Sequence, residues 1–593
     1  MIDMSSETNI YINNENNNIK MLIKRKIDQL LAKSNGMQLV WLMALSALCL
    51  AIAMFVAYLV YDDGKVTWQT VVAIFLDPGC FGGPGEHDFF RLSLAILSVF
   101  LFSALLVSVF TNVFENIREA AQNGSRRYAL RDHVLIIGAD KRLEGILRAL
   151  VGEGRTAVVM AEAKPDVDAS VGYIFYCGHR DVLADLASAR PEHASAIYII
   201  GEEGEEDHDD LNLKCLDMLT ELTQSARHDI KCYMTIRDYT TTEVFQYLKA
   251  RPEGRLLLVD TINDNEYKAE QLLVNSDRQF TPILRSGDKR RAHFVIVGTG
   301  PIAQAVAYTA AHICHYANYC EAGLRTLITF VGEDMEQWRD RLVASRPALF
   351  AMSHYRLVHA DGTVASHQPE GGDFIDVEWQ FVDAAETSPL ARRIIEEQSD
   401  SATRVVVCHD DARSALESAL HLPRRIYEEA RVAVYLPGSD RLIRRANATG
   451  MYGHIEVFGQ MDGTLGDPLF CRRSLCGQRV NYVYHRAYAA EVMPTAEQAW
   501  YSICEADKYS SIFCANAMPL RRACFDMEGD RRPIYEAEHR RWMMSELIMG
   551  FAPGAKTDKK RFIHADIVPF DDLTKEEQDK DQILIDAMDY ILG

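Results

Sequence analysis

At 593 residues the chain exceeds what one core can organise, and at roughly 100–200 residues per domain it holds about three or four units. Its net charge of −21, carried mainly after residue 150, argues against a general nucleic-acid-binding surface. Thirteen cysteines without a CxxC pair, some inside apolar runs (Cys49, Cys408), read as buried thiols in a reducing compartment, not as a disulfide framework or zinc site; Cys314, His315 and Cys320 match no familiar ligand spacing and read as helical core.

Residues 1–36 divide into a polar, asparagine-rich tail and a basic amphipathic segment, Ile19 to Ala32, which either lies on an anionic leaflet or is a solvated charged helix. The first long apolar run starts late and lacks a small-residue cleavage site, so no signal peptide is expected. Leu39 to Tyr61 and Leu92 to Phe114 are apolar enough, and long enough, for a hydrocarbon core of roughly 30 Å, which needs about 20 helical residues. Between them Trp68 to Leu76 is too short to cross, and Asp77 to Gly85 (DPGCFGGPG) is rich in glycine and proline. Residues 66–87 therefore read as a re-entrant pore loop within a pore domain of residues 37–116; the alternative is an extracytoplasmic hairpin without a pore. Lysines and arginines before the first run and after the second place both termini in the cytoplasm of a multi-pass inner- or plasma-membrane protein. Two spans cannot enclose a pore alone, so a homo-tetramer is expected, with Asp77 forming a ring of carboxylates that draws cations and Gly79, Cys80, Gly82 and Gly83 shaping the selectivity segment.

After a basic linker (117–131) strands and helices alternate, which predicts α/β doubly wound sheets. In the first unit (132–290), HVLIIG ends at Gly138 without the two further phosphate-loop glycines, and Glu162 stands where a ribose-binding acid would. The second unit (291–465) opens with HFVIVG and keeps GxGxxA as Gly298, Gly300 and Ala303, with Glu333 after its second strand. Either unit could hold a nucleotide or dinucleotide, or serve only as structure. Two spans, the re-entrant loop and the linker into HVLIIGADKRLEGILRAL, then VVMAEA, YCGHRDVLADLASA, AIYIIGEE and LLLVDTINDNEYKAEQLL, resemble the Castor/Pollux family of ion channels, which carry RCK-type (TrkA-N-like) Rossmann gating domains. In that resemblance Asp260 to Leu273 is a crossover helix. The loop DPGCFGG departs from the TVGYG potassium filter, so strict potassium selectivity is not implied.

Beyond Gly466 helices dominate. The order EHRRWM, GF, DKKRFIHADIVPFDDL, EEQDKD within residues 480–593 resembles the RyR domain, the α-helical module repeated in ryanodine receptors, with Trp500 to Phe525 supplying its first helix. Its aromatics and cations, Trp500, Tyr509, Arg540, Arg541, Trp542, Lys559, Lys560 and Arg561, form a candidate ligand site, since aromatic faces stack a purine and cations hold phosphate. No nucleophile elbow, Walker loop or catalytic constellation is evident, so no enzymatic activity is expected. The expected function is a ligand-gated cation channel in which a nucleotide-derived ligand, with a regulatory cation as a further candidate, acts on a cytoplasmic ring. Such a pairing fits bacterial stress or antiviral defence. The alternative is a membrane-anchored nucleotide sensor whose spans only tether it or disturb the bilayer.

Overall fold

The computed structural model describes residues 35–60, 67–77, 89–168, 170–245, 256–274, 279–396, 401–438, 440–460 and 468–593. The amphipathic segment at 19–32 and the loop residues Gly79, Cys80, Gly82 and Gly83 lie outside them. Two compact units result, residues 1–126 and 127–593.

In the first unit α1 (Asn35–Val60) and α3 (Phe89–Gln122) flank the nine-residue α2 (Trp68–Leu76). Thr67 starts α2 as an N-cap, its hydroxyl accepting the Thr70 N–H, and Asp77 ends it in an extended conformation. The short helix is tied on both sides. Val71 and Ile74 are fully buried among Ala53, Ala57, Leu94 and Ala95, and the Ser98 hydroxyl donates to the Phe75 carbonyl. The small alanines of α1 let α2 approach closely. Away from α2, Leu48, Ile52, Phe55, Leu59, Phe100 and Phe110 are exposed. Among the described residues no helix is long and apolar enough to cross a membrane; the side chains of 35–43 and 101–109, inside α1 and α3, are not among them.

The second unit contains two parallel sheets and a helical module. The first sheet has the order β3-β2-β1-β4-β5-β6, built from β1 (His133–Ile137), β2 (Ala157–Ala161), β3 (Ile174–Cys177), β4 (Ala194–Ile199), β5 (Ile230–Ile236) and β6 (Leu257–Asn263). The central strand HVLII is buried on both faces, which is why it reads as an unbroken apolar run. Helix α4 (Leu143–Gly152) follows β1, α5 (His208–Leu222) follows β4 and α6 (Asp264–Leu273) follows β6. Asp260 to Asn263, expected in the crossover helix, instead complete β6; the helix begins where the Asn263 side chain caps it, accepting the N–H groups of Asn265 and Glu266.

The second sheet has the order β10-β9-β11-β8-β7-β12-β13-β14. Its core repeats the doubly wound order of the first: β7 (Arg291–Val297), β8 (Thr326–Gly332), β11 (Val377–Asp383), β12 (Ser401–Val407), β13 (Arg431–Tyr435) and β14 (Ile455–Phe458). The sequence pattern missed β9 (His354–Val358) and β10 (Val364–His367), which extend one edge; β10 pairs antiparallel, its residues mostly exposed and therefore not apolar. Helix α7 (Pro301–Ile313) follows β7.

The helical module consists of α8 (Pro468–Tyr488), α9 (Glu505–Cys524), α10 (Arg532–Ile548) and α11 (Lys575–Asp586), with shorter helices at Ala496–Trp500 and Met588–Leu592. Its first long helix starts before residue 480, the expected edge of the module. Trp500 to Phe525, expected as one helix, breaks after Trp500 and restarts at Glu505. Thr574 is the N-cap of α11, its hydroxyl accepting the Glu577 N–H.

Candidate functional site

Three places bear on ligand binding: the C-terminal edge of each sheet and the interior of the helical module.

At the first edge Gly138 has φ +96°, and a Cβ there would come within 2.3 Å of the Gly201 carbonyl oxygen. Gly201 in turn abuts the His208 ring, so β1 and β4 close upon each other where a pyrophosphate would pass. The start of α4 is also taken. The Asp140 carboxylate accepts the Arg142 N–H (2.9 Å) and its Nε–H (2.7 Å), occupying the place of a phosphate at the helix N-terminus. Arg142 reaches on to Asp264 at 2.6 Å, and against the pull of burial Arg142 and Lys268 hold that carboxyl at about 2. Glu162 stays at the strand end, where its carboxylate meets His179 at 3.1 Å. Gly138 thus serves packing, and the acid at Glu162 faces a histidine.

The second edge keeps the glycine pattern in three dimensions. Gly298 (φ +103°) lies against the Cys408 carbonyl, Gly300 (φ +109°) against the Asp410 carboxylate, and Ala303 is fully buried. Glu333 is exposed just beyond β8. Electrostatics oppose an anion here. Pro301 offers α7 no N–H, and the adjoining cavity of about 490 Å³ is lined by Glu206, Asp207, Asp209, Asp210, Asp238 and Asp410 against Arg237 alone. Beside it His409 Nε2 meets both Glu386 (3.0 Å) and Ser418 (3.1 Å). A nucleophilic triad needs acid and hydroxyl on opposite ring nitrogens, so this is a structural cluster. Near the same edge Glu336, His359 and Asp383 bring ligand atoms within 4.8 Å of one another, a geometry a divalent cation could use. Cys314, His315 and Cys320 are engaged separately: His315 with Asp376, Cys320 with Arg540, and Cys314 in the core, where burial pushes its thiol up to about 12.

The helical module encloses a cavity of about 460 Å³ between α8, α9, α10, α11 and the segment 551–566. Of the residues singled out from sequence, Arg541, Trp542 and Lys559 line it. Trp542 is half-buried, with the His539 ring stacked on it (5.6 Å between centroids) and His564 edge-on (4.8 Å). Arg541 pairs with Glu538 at 2.8 Å, and Lys559 with Asp507 at 2.9 Å. Burial, then Lys559, lowers His564 to about 4, so it is neutral at physiological pH. Two lining residues escaped sequence reasoning. Among the described residues the Asn481 (8 % exposed) side-chain amide nitrogen has no hydrogen-bond partner, and Glu546 (7 % exposed) makes no side-chain hydrogen bond. Burial, against Lys559, drives the Glu546 carboxyl up to about 8. The signal was present in MMSELIMGF, a lone acid within an apolar helical run.

The other candidates lie elsewhere. Trp500 and Tyr509 are buried where the module docks on the first sheet, so neither ring is free to stack a ligand. The Trp500 indole N–H (2.9 Å), the Tyr501 hydroxyl (2.7 Å) and the Lys508 ammonium (2.8 Å) all donate to Asp260 on β6, and Lys508 also pairs with Glu505. Arg540 docks the module on the second sheet through Asp376 (3.0 Å), which also accepts from His315 (2.7 Å). Despite burial, His315 and then Arg540 hold Asp376 at about 2. Lys560 and Arg561 are exposed on the turn and do not line the cavity. Helices α9 and α10 therefore present one side to the cavity and another to the two sheets.

No protein-family model matches the chain, and no curated protein is similar to it. Among solved structures the chain is distantly similar to the GsuK channel, with 15% identity, a TM-score of 0.39 and coverage of 74% of this chain and 100% of that one. For the GsuK channel bound to NAD the figures are 12%, 0.38, 73% and 83%. For the human SLO3 gating ring they are 9%, 0.34, 56% and 81%.

Proposed function

We propose that the protein is a ligand-gated, tetrameric cation channel of the cell membrane whose helical module binds a small nucleotide-derived ligand. The observation that carries the sensing part is the cavity. Its volume falls in the roughly 300–1,000 Å³ range of small-molecule sites; beside an aromatic face it carries three cations, Arg541, Lys559 and Lys580, each paired with a carboxylate (Glu538, Asp507 and Glu577), with Asp581 and Asp566 against His539 and His564, and among the described residues the Asn481 amide nitrogen beside Glu546 has no partner. The pore part rests on α2, a helix too short to span that is wedged between two long ones whose outer faces are apolar. The negative end of the α2 dipole and Asp77 coincide, which favours a cation at that point. A ligand that binds one arrangement of α9 and α10 more tightly than another shifts the sheets they dock on, and the chain runs from the first sheet into α3. A role in stress or antiviral defence fits a pore opened by a nucleotide signal. Cation flux from proteoliposomes holding the full chain, with adenine and guanine nucleotides added to the module side, tests this. Nucleotide-dependent flux is expected; binding without flux would favour a membrane-tethered sensor, and neither binding nor flux would overturn the reading.

A further inference from the structure

The cavity also carries information about which base it takes, an inference that rests on the ligand reading above. Glu546 is more than nine-tenths buried, lines the cavity, and makes no hydrogen bond through its carboxyl group among the described residues. The charged groups acting on it are Arg541 from its own helix, Asp507 from α9 and Lys559 from the turn after α10, of which Lys559 and Asp507 already satisfy each other. Around these stand Glu538 and His539 from its own helix, His564 and Asp566 from the segment after it, His485 from α8, and Glu577, Lys580 and Asp581 from α11. Asn481 presents a buried amide N–H with no acceptor. Buried polar groups left without partners cost stability, and a ligand is the natural partner when they line a cavity.

We propose that Glu546 and Asn481 select an adenine base lying against Trp542: the neutral carboxyl donates its O–H to a ring nitrogen and accepts the exocyclic amino group, while Asn481 donates to a second ring nitrogen. Burial keeps the proton on Glu546 up to about pH 8, which sets this donor and acceptor pattern. Guanine presents two donors at the corresponding edge and would oppose the carboxyl O–H. Cytosine shares the adenine edge, but its other ring nitrogen carries the sugar and cannot accept from Asn481.

Calorimetric titration of the full chain with ADP, GDP and CDP between pH 7.5 and 9.5 tests the assignment, in a range above the ordinary histidine titration. ADP should bind about tenfold or more tightly than GDP or CDP. Its affinity should fall about tenfold per unit above pH 8 as Glu546 ionises. In Glu546→Gln, whose amide mimics the neutral carboxyl, the preference for ADP should persist and the pH dependence should vanish; in Glu546→Ala the preference should be lost. Equal or tighter GDP or CDP binding, or undiminished ADP preference in Glu546→Ala, would overturn the assignment and leave the cavity a ligand site. Failure of all three nucleotides to bind would overturn both readings.

Discussion

The glycine turns at the sheet edges and the cavity of the helical module differ in how their polar groups are satisfied. At the sheet edges the protein supplies its own partners: Asp140 fills the start of α4, Gly201 seals the gap beside Gly138, and carboxylates crowd the start of α7. In the cavity Glu546 and Asn481 are buried, and among the described residues the Asn481 amide nitrogen finds no acceptor and the Glu546 carboxyl makes no hydrogen bond. A fold built around glycine turns need not bind at them, and the groups left unsatisfied mark the better site.

The largest effect expected from breaking this arrangement is at the junction, not at either site. Asp260→Ala removes the acceptor shared by the buried Trp500 indole N–H, the Tyr501 hydroxyl and the Lys508 ammonium, a loss of roughly 3–5 kcal/mol. It should appear as a lower melting temperature of the full chain and earlier proteolysis of residues 468–593. Native-like melting would show that the two regions are not coupled through this cluster.

Next comes the contrast between the turns. Gly138→Ala combines a positive φ with a Cβ 2.3 Å from a backbone oxygen and should destabilise by about 3 kcal/mol, whereas Gly300→Ala meets only Asp410 at 3.4 Å and should cost about 1–2 kcal/mol. Gly300→Ala should leave ADP affinity unchanged. A large loss of affinity there would move the site to the second sheet edge.

A pH dependence sharpens the comparison from the cavity side. Folded Glu546 keeps its proton up to about pH 8, whereas in the unfolded chain the proton leaves near the ordinary 4.5. Between those values the folded state binds more protons, so stability falls as pH rises through the window. Glu546→Gln removes that slope. Its melting temperature relative to the native chain should rise from pH 5 to 8, by the equivalent of on the order of 3–4 kcal/mol, and a flat difference would mean Glu546 is ionised when folded.

Much of this architecture was legible because it is periodic. HVLII and HFVIV announce buried parallel strands, the β–α alternation predicts two doubly wound sheets, and Trp68 to Leu76 is visibly too short to cross a bilayer. The short β9 and the mostly exposed edge strand β10 carry no such pattern. Site residues were legible by type but not by direction. Trp500, Tyr509 and Arg540 have the right chemistry for a ligand, yet Asp260, Thr261 and Asp376, distant in sequence, take them into the docking surface. Glu546 was overlooked for the converse reason, because one acid in a helix reads as a solvated residue until its burial is known.

Hydrogen exchange of the full chain with and without ADP tests the central claim most directly, because it reports on all three places at once. The account predicts protection in residues 480–514 and 538–566 with no change at the turns 138–142 and 298–303. Protection at those turns, with the cavity helices unchanged, would contradict it.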